Sequence, residues 1–362
     1  MKYLYLLTIV LVLASCGEEE KKKPLDRTKT DWQFYKLEGN VKSVSEKSFE
    51  IMDAAGQKGG TKHEVASSHD NDLTFNEKGM LVSEKLWLDS TTPFEDIKYS
   101  GRENMLSRVQ YINGQIGIKT ENSRDKSGNI TGIIRRNADN SQIDRIAMTY
   151  NGKMLTEKKT FNNQDNPNDR ITYVYDDKGN LKGENLYLGS EYVQVKNLYD
   201  YDGQNRKVAE SRYSKDSPLY KTTFEYDGKN IVKKETTDAN GIVLNSEKSK
   251  YDKKGNLLER YTTDNSDKSE VFDSYKYNDK GNVTSWTVTR NGDPEMQVLY
   301  KYDGHNNVTA VKSVNGKGQV IDNRAYAYEY DDNGNWTKKT VVVNDKPFTV
   351  VERKITYFPT EE

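Results

Sequence analysis

The chain has a single cysteine, Cys16, in 362 residues, so no internal disulfide can form. Its three histidines, His63, His69 and His305, show no metal-ligand spacing and have no cysteine partners. Neither sign of charge dominates: 55 Lys+Arg stand against 56 Asp+Glu, a net charge of −1. That balance excludes binding to nucleic acid or to an anionic membrane through bulk charge. Aliphatic residues are also scarce. Hydrophobic residues are 33% of the chain, and Tyr supplies 25 of them. Exchanging those for the 25 Gly leaves a third of the chain, on a scale where globular proteins reach roughly 45–50%. An ordinary thick core is therefore not expected. Disorder is not expected either, because it goes with high net charge and few aromatics.

What is present begins with an address. Met1-Lys2 is a short positive start, and Tyr3 to Leu13 is an apolar run of 11 residues. That is too short to span a bilayer and suits the hydrophobic region of a signal peptide. Leu13-Ala14-Ser15-Cys16-Gly17 follows and resembles the lipobox of bacterial lipoproteins. The resemblance implies cleavage before Cys16, lipidation of Cys16, and attachment to a membrane through it. More than one acyl chain is needed for stable anchoring. Glu18-Glu19-Glu20-Lys21-Lys22-Lys23-Pro24 reads as a solvated tether. The acidic tract also resembles the surface-export signal of Bacteroidetes lipoproteins. The boundaries expected are signal peptide 1–15, lipidated Cys and tether 16–30, a repeat domain 31–358 and a tail 359–362. The location implied is the cell envelope, at the outer membrane, with both of its sides open.

The rest of the chain is one repeat array. Tyr175-Asp176-Asp177-Lys178-Gly179-Asn180-Leu181 recurs as Tyr251-Asp252-Lys253-Lys254-Gly255-Asn256-Leu257. It returns as Tyr277-Asn278-Asp279-Lys280-Gly281-Asn282-Val283 and as Tyr330-Asp331-Asp332-Asn333-Gly334-Asn335-Trp336. With the tyrosine as phase zero, the series runs Tyr35, Phe75, Tyr99, Arg124, Tyr150, Tyr175, Tyr201, Tyr226, Tyr251, Tyr277, Tyr302, Tyr330, about 25 residues apart. The residue four positions on is Gly or Asn, Asn230 included, except after Tyr99, where Asn104 comes five positions on, and after Tyr150. Gly and Asn take φ > 0 most readily, and the Asp or Asn after the tyrosine can cap the turn. The pattern predicts a type I turn closed by a left-handed residue and a bulge. Alternating runs such as Tyr326-Ala-Tyr328-Glu-Tyr330 predict strands between the turns. Each unit is then a hairpin with a second, looser turn, and the chain a meander of about two dozen strands, with Ile355-Thr-Tyr357 as its closing strand. No 11-residue window after the signal peptide shows a helical stripe.

Tyr-Asp-x-x-Gly-Asn-Leu at this spacing resembles the YD-repeat (Rhs-like) family, and in particular its small Bacteroidetes-type lipoproteins. The resemblance covers nearly the whole chain after the signal peptide. In large members such repeats coil into a hollow β-shell around a toxin domain; this chain shows no toxin-like C-terminal domain and no self-cleavage region. The fold expected is all-β: about 12 hairpin units forming a curled single-layer sheet or a partial shell. Two dozen strands about 4.8 Å apart, each twisted by about 20°, must curl. Tyrosine suits a thin layer, because its ring packs while its hydroxyl stays wet.

Candidate chemistry is sparse. The recurrent Asp residues could bind calcium, best at Asp165–Asp169, but each has a turn-capping role and no Asp-x-Asp-x-Asp-Gly spacing occurs. No metal site and no cofactor are expected. Nothing resembles a nucleophile elbow, a phosphate loop or a zinc motif, and no catalytic residue is named. The phase tyrosines read as packing residues. Trp87, Trp286 and Trp336 lie outside the phase position and are the candidate ligand-binding aromatics. The function expected is a non-catalytic envelope lipoprotein whose repeat surface binds a glycan or protein. The alternatives are a scaffold or encapsulating partner for another polypeptide, and an enzyme acting on polysaccharide.

Overall fold

The computed structural model describes residues 25–53 and 55–359; Cys16, the signal segment and most of the tether lie outside them. Twenty-four antiparallel strands follow one another, each paired with its neighbours in the chain. The first strand, Val41–Glu50, also pairs with the last, Lys346–Tyr357, from Val41 opposite Tyr357 to Glu50 opposite Thr349. The sheet therefore closes into a barrel of twelve hairpins rather than ending as a partial shell. Closure removes both free edges, which a curled open ribbon would leave unpaired.

The barrel is hollow. Extensive strand packing is confined to neighbours in the ring. At about 4.8 Å between strands and about 40° of tilt, the circumference is about 150 Å, or about 48 Å across for a circular section. The accessible surface, 24196 Å², is far above the roughly 15,000 Å² of a compact chain of this mass. A single wall wetted on both sides explains the shortage of aliphatic residues.

Turns alternate between two rims. At the tyrosine rim the expected geometry is present: Asp176 Oδ1 accepts from the backbone N–H groups of Lys178 and Asn180, and Gly179 has φ +83. Asp252 and Asp331 act in the same way. A bulge follows, where Tyr175 faces Leu181 while Val174 faces Gly183. Three turns differ. After Tyr99 the left-handed residue is Gly101, not Asn104. After Tyr150 and Tyr226 the turns are tighter, with Gly152 and Gly228 left-handed; Asn230 already belongs to the next strand. At the other rim some turns are as regular as the first set, as at Asp238, and others are two-residue turns such as Asn291-Gly292. That rim is less loose than the sequence implied.

Several of the phase tyrosines stitch consecutive units. Tyr201 Oη donates to the Leu181 carbonyl at 3.0 Å, Tyr226 to Lys207 at 2.8 Å, Tyr277 to Leu257 at 2.7 Å and Tyr302 to Val283 at 2.7 Å. Each acceptor lies six residues after the preceding phase tyrosine, at the bulge. The aromatic ring thus packs in the wall while its hydroxyl satisfies a main-chain group.

Tyr35 is the exception. It caps a four-residue α-helix, Asp31–Phe34, preceded by a 3-10 turn, Arg27–Lys29. Both helices were too short to show in the sequence pattern. This N-terminal segment carries the main apolar cluster: Trp32, fully buried, with Leu37, Val41, Val44, Leu73, Phe75 and Leu81. Trp32 Nε1 donates to the Val41 carbonyl, and Asp31 Oδ2 accepts from the N–H groups of Leu81 and Arg102. A Cβ on Gly79, at φ +72, would lie 2.5 Å from the Trp32 ring, so that turn must be glycine. Arg27 donates to the Gly39 and Leu37 carbonyls, so the last residues expected in the tether belong to the folded body.

Neither face of the wall can meet lipid. The tyrosine face carries Glu95, Arg108, Glu184, Arg212, Arg260 and Asp273; the other carries Lys85, Lys233, Glu235, Lys338 and Glu352. A membrane-spanning barrel needs an apolar outer band about 25 Å tall. No described helix is long and apolar enough to cross a membrane.

Candidate functional site

The three candidate tryptophans do not converge. Trp87 points away from the tyrosine face. Its indole N–H donates to Asp72 at 2.8 Å, and the ammonium groups of Lys47 and Lys85 sit 4.6 and 4.1 Å from its ring centre. Trp286 lies on the tyrosine face, where its N–H donates to Asp273 at 2.9 Å and its ring is parallel to Tyr275, 6.3 Å away. Asp273 is buried and paired with Arg260, so Trp286 is tied into a wall network.

Trp336 is placed differently. It lies beside the tyrosine rim, with the Arg353 guanidinium 3.4 Å from its ring centre and Tyr328 edge-on at 6.1 Å. Arg353 donates to Glu46 at 2.8 Å, and burial draws its pKa below the usual guanidinium range despite that carboxylate. Burial, then the nearby Asp303 carboxylate, pushes Tyr328 up to about 12. Trp336 and Arg353 line a cleft of about 490 Å³ between the barrel and the N-terminal segment. The segment contributes Gln33, Tyr35, Lys36 and Glu38; the barrel adds His305, Asn306, Asn307 and Tyr330.

The cleft walls are held by hydrogen bonds. Tyr330 Oη donates to Asp303 at 2.6 Å and accepts from Asn307 Nδ2 at 2.8 Å. His305 stacks on Tyr330 with ring centres 4.2 Å apart. Burial acts to raise the Asp303 pKa, but the Tyr330 hydroxyl and the Asn307 N–H more than offset it, and the carboxyl stays ionised below the ordinary range. On the far wall, Asn335 is 3% exposed; it accepts from the Glu38 N–H and donates to the Glu38 carbonyl and to Tyr357 Oη. The cleft therefore offers aromatic rings, side-chain amides and charges of both signs. Of the lining residues, the sequence offered Trp336 alone as a ligand contact, with Tyr35 and Tyr330 as repeat residues. Gln33, Lys36 and Glu38 sit outside any repeat, and only their contact with the closing turn places them.

The other candidates are in structural roles. Asp165 accepts from Arg145 at 2.9 Å and Asp169 from Thr160 at 2.7 Å, so the loop's carboxylates are engaged. His63 Nε2 lies 3.2 Å from the buried Asp70, and His69 stacks on Phe94 at 4.1 Å. Among the described residues no three His, Cys, Asp or Glu are grouped to hold a metal. The insertion between the first two strands folds over the tyrosine face: Glu64 accepts from Tyr326 at 2.7 Å and Arg324 at 3.2 Å, and pairs with Lys339 at 3.3 Å.

No family model matches the chain. No curated protein matches it either. Solved structures do. One is TcdB2-TccC3 lacking its hypervariable C-terminal region, at 13% identity and a TM-score of 0.36, over 81% of this chain and 19% of that one. Another is the Photorhabdus luminescens Tc holotoxin pore, at 10% identity and a TM-score of 0.28, over 82% and 21%. A third is a porin-like protein from Bacteroides uniformis, at 10% identity and a TM-score of 0.28, over 87% and 98%. The chain spans about a fifth of the length of the two toxin chains it is similar to.

Proposed function

We propose that this is a non-catalytic YD-repeat lipoprotein, anchored at the outer membrane through Cys16, whose barrel holds a glycan in the cleft beside Trp336. The cleft carries the reading. It combines Trp336 and Tyr330, each stacked on one side by Arg353 or His305 and lining the cleft, with the amides of Gln33, Asn306 and Asn307, which suit sugar hydroxyls. Its volume of about 490 Å³ fits a short oligosaccharide rather than a polymer groove. Trp336 ranks ahead of Trp87 and Trp286 because neither of those two lines the cleft. Anchoring rests on the Leu13–Gly17 motif and the lone cysteine.

A glycan array probed with the detergent-extracted chain tests the binding reading. A glycan signal lost in Trp336→Ala but kept in Trp87→Ala supports it; a signal untouched by Trp336→Ala removes the cleft from the function. Cys16→Ser releases the protein from the membrane fraction if the lipobox reading holds, and unchanged fractionation refutes it. The hollow interior favours a second reading, a scaffold or enclosure for another polypeptide. No glycan signal, together with one protein recovered by cross-linking in cells, would favour that reading.

A further inference from the structure

The charge that balances over the whole chain does not balance between the two ends of the barrel. In the tyrosine-rim turns that follow Arg124 through to Tyr277, the tips carry Lys126, Lys153, Lys178, Lys229, Lys253 and Lys254, all exposed. Among the described residues none of these forms an ion pair, whereas wall lysines such as Lys159, Lys233 and Lys338 do. The acids of the same turns are placed differently. Asp125, Asp176 and Asp252 turn back and accept main-chain N–H groups of their own turns, which offset their charge. Asp202 pairs with Arg206. Asp177, Asp227 and Asp279 are the acids left facing outward there. On the same half of the barrel, the opposite rim carries Asp139, Asp165, Glu191, Asp216, Asp267 and Asp293 against Lys215 and Lys268. The chain enters on the other half of the lysine-bearing rim, where Arg27 bonds to Leu37 and Gly39 and the Asp31 N–H to the Gly79 carbonyl.

We propose that the tyrosine rim rests on the lipid headgroups of the membrane that holds Cys16, with the barrel standing end-on and its acidic rim outward. The proposal rests on the lipobox reading of Cys16. The stretch from Cys16 to Leu25 reaches at most about 30 Å. It joins the barrel at the tyrosine rim. The opposite rim, about 25 Å away along the wall, meets the same surface only if that stretch is pulled to nearly its full length. Tether and lysines lie on opposite halves of one rim, so engaging both brings the whole rim down instead of tipping the barrel onto its side. Phosphate headgroups are the occupant the charges fit. Exposed, unpaired ammonium groups on flexible stems meet an anionic plane without needing a matched shape. A basic patch also supplies the second attachment that makes a lipid anchor secure.

Flotation of the full Cys16→Ser chain with vesicles reads the rim without the anchor. The chain should float with phosphatidylethanolamine–phosphatidylglycerol vesicles, stay behind with phosphatidylcholine alone, and be released by high salt. Lys178→Glu with Lys229→Glu and Lys253→Glu should weaken vesicle binding by about a hundredfold, with an unchanged far-ultraviolet spectrum. Lys215→Glu with Lys268→Glu on the opposite rim should leave it unchanged. If the triple variant does not fold, Lys178→Glu alone is read in the same way, for a loss of about fivefold. No flotation with the anionic vesicles, equal flotation with neutral ones, or binding that survives the tyrosine-rim variants overturns the proposal. One acidic protein cross-linked to the lysine rim, without vesicle binding, overturns it too and gives the rim to that protein. In the anchored chain, a fluorophore on Lys126→Cys should be quenched by lipid spin-labelled at its headgroup, and one on Glu191→Cys should not; the reverse overturns the upright pose. Fractionation of Cys16→Ser reads the anchor by itself, so the two readings fail separately.

Discussion

Tyr357 faces Val41 across the seam of the barrel in the register in which Tyr175 faces Leu181 within the chain. The match extends to the backbone: the Phe358 N–H donates to the Asn40 carbonyl at 2.8 Å, as the Asp176 N–H does to Asn180 at 2.9 Å. Gly39, at φ +71, takes the place of Gly179. The twelfth tyrosine turn is thus assembled from two separate pieces of chain, and Tyr357, not Tyr35, is its phase residue.

Asn335 is the bolt on that seam, because it bonds the N-terminal segment and Tyr357 at once. Asn335→Ala removes three part-buried hydrogen bonds, two to the Glu38 backbone and one to Tyr357 Oη. A loss of about 2–3 kcal/mol is expected. Hydrogen exchange should quicken in 41–50 and 346–357 and stay unchanged in the wall opposite.

The tyrosine stitches predict a graded series. Tyr277→Phe and Tyr302→Phe keep the ring and strand an acceptor, for about 1 kcal/mol each. Among the described residues Tyr251 Oη has no such partner, so Tyr251→Phe should be near neutral. Thermal melts of the three variants give the comparison.

Glu84 lies half-buried on the tyrosine face, where burial raises its pKa and the Glu95 carboxylate adds to that, against a hydrogen bond from Tyr99. A folded-state pKa above the unfolded one means that the protonated form suits the fold. The penalty is absent in acid and grows as pH rises through the folded pKa. Glu84→Gln should therefore raise the melting temperature at pH 7, with the gain vanishing below about pH 4.

Glu64 has the opposite sign. Burial acts to raise its pKa, but the Tyr326 hydroxyl, Lys339 and Arg324 outweigh it and hold the carboxyl below its ordinary range. Its stabilisation is present above the unfolded value of about 4.3 and is lost as pH falls through the folded one. Limited proteolysis across an acid titration should cut the 52–69 insertion before the barrel, and Glu64→Gln should show that cleavage at neutral pH.

The repeat phase was legible because each turn is specified locally: an Asp or Asn to cap, a Gly or Asn to turn left-handed, a Tyr to stitch. Asn104 and Asn230 misled because Gly101 and Gly228 lay nearer and took the positive φ first. Closure was not legible, since no local pattern states that the first strand meets the last. Trp32 and the cleft were missed for the same reason: their partners, Gly79 and Asn335, lie in distant turns.

The split turn also sets an order of events. Nearly every strand pairing joins neighbours in sequence and can form as soon as both strands exist, whereas the pairing of 41–50 with 346–357 spans about 300 residues. Loop-closure entropy makes that step the slowest, and until it occurs the sheet has two long unpaired edges. A chain shortened before residue 346 would keep those edges permanently, open to pairing with other chains.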